Sequence, residues 1–296
     1  MIVLMEITIY IALVLVGLCM GSFAGATTWR LRANELADDK KRGDEYDEAE
    51  YGQLKKLTHI KTSRDRSVCL HCSYRLRWYD LIPLVSWVLL RGKCRQCRHA
   101  IGYFEPLMEL GVALFFVLSY AFWPGQLISA LQITHFVIWL AAGVVLAILF
   151  AYDAKWFLLP DKINYSLIGL GLASSVIVAI TSNNLSAAIG NIAGSVAILS
   201  GMYYIIYLLS RGKWIGFGDI KLGLGLALLL ADWQLAFIAL FAANLIGCLI
   251  VIPMMAVGKL KRDSHIQFGP LLIIGTVIAW LAGAVLLSWY SGMVLV

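Results

Sequence analysis

The feature that most constrains this chain is a series of apolar runs, nearly all of them roughly 17 to 25 residues long. A helix rises 1.5 Å per residue, so a run of that length crosses about 30 Å of hydrocarbon. Strict polar/apolar alternation is absent, and in lipid a helix satisfies its own backbone. Sixty per cent of the 296 residues are hydrophobic and only 14% are charged. A water-soluble globule carries about 45 to 50% apolar residues, so lipid must be the solvent for most of this chain.

Eight runs can be marked: 2–27, 106–123, 127–150, 163–180, 185–209, 220–231, 234–257 and 268–290. The expected fold is therefore an all-α polytopic membrane protein of about eight transmembrane helices. The sixth run is the shortest and is rich in Gly, which predicts a tilted span or one packed wholly inside the bundle. The first run has no basic leader segment and no small-residue cleavage site after it, so it reads as a retained span. Breaks at 124–125, 181–184 and 231–232 carry no Lys or Arg, whereas the others carry Lys155, Lys162, Arg211, Lys213, Lys221, Lys259, Lys261 and Arg262. All 24 Lys and Arg residues thus fall on one side, which the positive-inside rule makes the cytoplasm, with both termini outside. That segregation accounts for the formal charge of +6, and no nucleic-acid motif accompanies it.

Three domains are expected: a first transmembrane helix (1–28), a cytosolic polar domain (29–105) and a seven-helix membrane domain (106–296). Within the second, 33–56 is crowded with acids and reads as a solvated, flexible insert. Cys69-Leu70-His71-Cys72 and Cys94-Arg95-Gln96-Cys97 are two CxxC pairs at the spacing of a zinc ribbon. Thiolates on two tight turns can close a tetrahedral site, and a reducing cytosol argues against disulfides. Such a site would be structural, with His71 and His99 filling the knuckle surface. Cys19 and Cys248 lie inside spans and read as small buried hydrophobes.

Acids at the edge of hydrocarbon are costly, so Asp153, Asp161 and Asp219 each require a reason. Asp161 follows Leu159-Pro160 and opens the fourth run, where an Asp caps a helix. Asp153 stands at the C-terminal end of its helix, where the dipole disfavours an anion. Asp219 closes Gly216-Phe217-Gly218-Asp219, whose Gly216 and Gly218 allow another backbone to come close. The topology puts Asp153 and Asp219 at one membrane face, where two carboxylates can share a proton and activate water against a peptide bond. A transporter would use the same aspartates to move protons or cations, but no ionisable residue stands at mid-depth to complete a path. A non-enzymatic assembly factor with a metal-bound docking domain is the other alternative.

These residues together resemble the bacterial type IV prepilin peptidases, also called leader peptidase/N-methyltransferases. The resemblance runs through Gly17-Leu18, Gly21-Ser22-Phe23 and Trp29-Arg30-Leu31 to the CxxC pairs and Asp80-Leu81-Ile82-Pro83 between them. It continues with Asp153, Leu159-Pro160-Asp161, Gly216-Phe217-Gly218-Asp219-Ile220-Lys221 and Phe268-Gly269-Pro270. Phe104-Glu105-Pro106 stands where the family commonly has Arg-Tyr-Pro, and Leu70 replaces a common Pro. The resemblance implies Asp153 and Asp219 as the catalytic pair, prepilins or pseudopilins as substrates, and cleavage after Gly in the bacterial inner membrane. It also implies N-methylation of the new terminus with S-adenosylmethionine, a step associated with the cysteine domain.

Overall fold

The computed structural model describes residues 2–58, 66–259, 261 and 266–294; Arg262, one of the cations used to orient the chain, lies outside them. The described residues are almost entirely helical: α1 (Ile2–Arg42), α2 (Glu48–Leu54), α3 (Val85–Leu89), α4 (Phe104–Ala121), α5 (Ala130–Trp156), α6 (Asp161–Thr181), α7 (Leu185–Val196), α8 (Met202–Ser210), α9 (Phe217–Leu230), α10 (Trp233–Ala256) and α11 (Phe268–Val294). A one-turn π-helical segment, Ala197–Gly201, joins α7 to α8. Seven helices among the described residues are long and apolar enough to span a membrane, with α7, the π segment and α8 forming one of them. The protein is a multi-pass membrane protein. The chain divides into two compact units, Met1–Val117 and Leu118–Val296.

In the first unit α1 and α4 pack backbone against backbone. A Cβ on Gly17 would lie 2.6 Å from Ala113 Cα, and one on Gly21 would lie 2.5 Å from Glu109 Cα. Small residues one turn apart are what such close helix approach in lipid requires. The acidic segment 33–56 differs from the flexible insert expected of it, and α1 runs well past residue 28. Ala33 and Leu36 continue the apolar stripe of α1 and bury against Leu54 and Leu57, with Trp29, Tyr46 and Tyr51 around them. The acids pair locally: Arg32 binds Glu50 at 2.7 Å, Arg42 binds Asp39 and Asp44, and Asp47 caps α2 through Glu50 N–H at 2.9 Å. Lys40, Lys41 and Arg42 close α1 at the end where its dipole favours cations.

The second unit is built around α9, the short sixth run. At 14 residues it extends roughly 21 Å, less than the hydrocarbon thickness. It is tolerated because α6, α7, α11 and the π segment enclose it, leaving its residues from Leu226 to Leu230 buried. Ala227 O accepts the Ala231 N–H at 2.9 Å, and beyond it the helix offers its last carbonyls no further N–H, so hydroxyls complete this end. Ser195 Oγ donates to Ala227 at 2.8 Å, Ser175 Oγ to Leu228 at 2.6 Å and Ser174 Oγ to Leu229 at 3.3 Å. Irregular backbone at membrane depth survives only where protein supplies such partners.

Candidate active site and metal centre

Several helix ends meet at one end of the second unit. Helix α5 stops after Trp156 because Phe157 turns into the left-handed region (φ 57°), leaving Asp153 in its last turn. That carboxylate is 5% exposed. It accepts the backbone N–H of Gly269, in the first turn of α11. A Cβ on Gly269 would lie 2.5 Å from Asp153 Oδ2, so only glycine lets the carboxylate reach that N–H. Gln267 just ahead donates through Nε2 to the Ala154 carbonyl at 3.1 Å, pinning α11 to α5 beside the site.

Asp219 occupies the first turn of α9, whose cap residue is Gly216. Its carboxylate accepts the Gly216 N–H, so it also helps to cap its own helix. It also lies close enough to Asp153 for the two charges to interact. Gly218 yields its Cβ space to Leu159, whose Cβ would be 3.1 Å away, so the close approach at this glycine is taken by the turn before α6. Asp161 departs from expectation. The cap of α6 is Pro160, and the Asp161 carboxylate binds Lys221 Nζ at 2.7 Å instead, tying the start of α6 to the start of α9. The Lys221 ammonium also lies 5.1 Å from the centre of the Phe217 ring. Asp161 is thereby neutralised and removed from the pair, while Asp153 and Asp219 keep no cation partner among the described residues.

Two further residues border this site without having been singled out by the sequence reading. Tyr203, in the first turn of α8, is 4% exposed; it lies within electrostatic reach of Asp219, and its ring packs edge-on against Phe268 at 5.5 Å. Its hydroxyl has no hydrogen-bond partner among the described residues. The second is Gly269 itself, which the sequence reading knew only as part of Phe268-Gly269-Pro270. A tyrosine inside an apolar run carries no sequence signal that separates it from core.

The four cysteines converge in the first unit. Cys69 and Cys97 Sγ lie 4.0 Å apart, Cys72 and Cys94 Sγ 3.9 Å apart, and all four fall within 4.8 Å of one another. Tetrahedral ligation with bonds of about 2.3 Å places sulfurs about 3.8 Å apart, so the cage has the size of a four-thiolate metal site. Each half is the same turn. Ser73 N–H donates to Cys69 O and Arg98 N–H to Cys94 O, with Ser73 and Arg98 both left-handed (φ 63° and 58°). Arg95, in the second turn, binds Asp80 of the segment between the two halves at 2.7 Å. His71 and His99 stack on each other at 4.2 Å and stand outside the thiol cluster. Burial pushes the Cys69 thiol up to about 12. Cys94, which burial would also raise, is drawn down to about 7 by the Cys97 and Gln96 backbone amides and by the Cys69 and Cys97 thiols. Four crowded thiols do not all ionise unaided, and a bound divalent cation supplies the charge that makes four thiolates stable.

Comparison with known proteins shows the family. Residues 15–123 match the bacterial peptidase A24 N-terminal domain, and residues 140–252 match the type IV leader peptidase family. The chain belongs to that family. The second match contains both aspartates and the first contains all four cysteines. It is 34% identical to a prepilin leader peptidase/N-methyltransferase of Aeromonas hydrophila, covering 76% of this chain and 74% of that one. It is 30% identical to the protein of the same name from Stutzerimonas stutzeri, covering 92% and 90%. A type 4 prepilin-like proteins leader peptide-processing enzyme of Escherichia coli is also 30% identical, covering 88% of each chain. No solved structure matches it.

Proposed function

We propose that this membrane enzyme cleaves the leader from prepilins or pseudopilins with Asp153 and Asp219 as its catalytic pair. The observation that supports the pair is the buried Asp153 carboxylate, held by Gly269 N–H within electrostatic reach of Asp219 while the third candidate, Asp161, is occupied by Lys221. Two adjacent carboxylates without a cation hold one proton between them. The ionised member takes a proton from water as its oxygen bonds to the scissile carbonyl carbon. The protonated member gives its proton to the carbonyl oxygen, and collapse of the diol breaks the C–N bond as the amine nitrogen takes a proton. A transporter reading is not favoured, since the similar proteins carry peptidase names.

The family names imply a second step. S-adenosylmethionine would supply a methyl group to the freed amine, releasing a proton, and no residue of this chain is assigned to hold it. Zinc is the metal that suits a closed site of four thiolates; its place would be to fold residues 66–103, with no part in peptide cleavage. Orientation follows from charge: the bacterial inner membrane, both termini outside, and the aspartates and cysteines at the cytosolic face.

The test is cleavage of a prepilin by the purified protein, with product mass recorded in the presence of S-adenosylmethionine. Wild type should cut after Gly and add one methyl, and Asp153→Asn and Asp219→Asn should each lose cleavage by at least roughly 10²-fold. Full activity in either variant refutes the assignment of the pair.

A further inference from the structure

The residue that the aspartate chemistry leaves unused is Tyr203. Its ring is buried and fixed against Phe268, next to the glycine whose N–H holds Asp153, and its hydroxyl lies within electrostatic reach of Asp219. That hydroxyl is buried without a hydrogen-bond partner among the described residues. A buried donor left unpaired costs stability unless a ligand completes it. The fold also goes to some length to place it. The chain reaches Tyr203 through the π-helical turn Ala197–Gly201, and such turns, rare elsewhere, re-aim the residues that follow them. That turn is seated directly on α9. Ser200 Oγ donates to the Ile220 carbonyl at 3.1 Å, one residue after Asp219, and a Cβ on Gly223 would collide with the Leu199 carbonyl. The π turn, Asp219 and Tyr203 therefore form one rigid piece.

We infer that Tyr203 is a catalytic residue of the peptidase, its neutral hydroxyl donating a hydrogen bond to the scissile carbonyl oxygen of the bound leader peptide. The inference rests on the reading of Asp153 and Asp219 as the catalytic pair. As water adds to the carbonyl carbon, negative charge grows on the carbonyl oxygen, and a donor already desolvated and held in place stabilises that charge without reorganising. Tyr203 keeps its proton throughout, so the proton transfers of the aspartate pair are unchanged. The Asp219 carboxylate already accepts Gly216 N–H, and the open Tyr203 hydroxyl is left for the substrate.

Tyr203→Phe tests this, since it keeps the ring against Phe268 and removes only the hydroxyl. Cleavage of a prepilin peptide should show kcat lowered about 10²-fold, an unchanged KM, and kcat/KM lowered equally. The pH profile of kcat should remain that of wild type, and thermal unfolding of the ligand-free protein in detergent should come no lower than in wild type, because the removed hydroxyl had no partner there. An undiminished kcat overturns the inference while wild-type cleavage and the inactive Asp153→Asn and Asp219→Asn variants leave the peptidase reading intact. A shifted pH profile overturns it in favour of a hydroxyl bonded to Asp219. Absence of cleavage by wild type removes both readings together.

Discussion

A methyl group placed on Gly269 would fall on the Asp153 carboxylate, so single-atom changes at this site are expected to be visible in activity. Gly269→Ala should lose most cleavage by displacing Asp153 from its N–H donor. Gly111→Ala, where a Cβ meets nothing within 4 Å, should cleave at the wild-type rate; parallel assays of the two membrane preparations check this. The contrast identifies Gly269 as a constraint on geometry and separates that from any general intolerance of helix substitutions. Asp161 and Lys221 offer the complementary case. Their ion pair is half exposed on the Asp161 side, so Asp161→Asn should cost no more than about 1 kcal/mol of stability and leave cleavage measurable. The motif Leu159-Pro160-Asp161 could be read from sequence, but the partner that neutralises its acid lies 60 positions away. Capping was the local answer available to a one-dimensional reading.

Among the elements, α9 is the one whose existence depends on its neighbours. It is shorter than the hydrocarbon is thick, ends in the left-handed Ala231, and hands three carbonyls to serines on α6 and α7. Ser175→Ala and Ser195→Ala should each lower stability by about 0.5–2 kcal/mol, with a larger loss in the double variant; unfolding of the purified protein in detergent reads this out. Replacement by Thr, which keeps the hydroxyl, should recover the part of the loss due to hydrogen bonding if its methyl is accommodated. The sequence exposed α9 as short and Gly-rich, and Ser174, Ser175 and Ser195 as ordinary polar residues in apolar runs. Only their meeting with the helix end gives them a role. The acidic segment 33–56 taught the reverse lesson: its composition spoke for a solvated linker, while the helical spacing of Ala33, Leu36 and Leu54 with Leu57 was enough to build a small core.

For the whole molecule, the predictions concern metal and orientation. The cysteine cage should hold one thiolate-bound metal ion per chain, measurable by elemental analysis. Cys72→Ser or Cys97→Ser should lower its retention and open residues 66–103 to protease, because ligand binding and folding are one equilibrium in so small a module. Cysteines introduced at Ser182 and Lys213, in a background lacking the native thiols outside the cage, should label from opposite sides of the membrane. The positive-inside assignment puts Ser182 outside and Lys213 in the cytoplasm. Labelling of both from the same side would refute that orientation.

By itself the sequence determined the solvent, the helical class, the four cysteines that could hold a metal and the short list of acids worth suspecting. Each of those follows from local quantities: the length of an apolar run, the spacing of CxxC, or the cost of an acid beside hydrocarbon. The tertiary structure alone decided what else each acid meets. It paired Asp161 with Lys221, set Gly269 N–H on Asp153, and brought Tyr203 to Asp219 through a π turn. Those partners come from helices far apart in the chain, and their closeness depends on glycines and serines whose value lies in what packs against them.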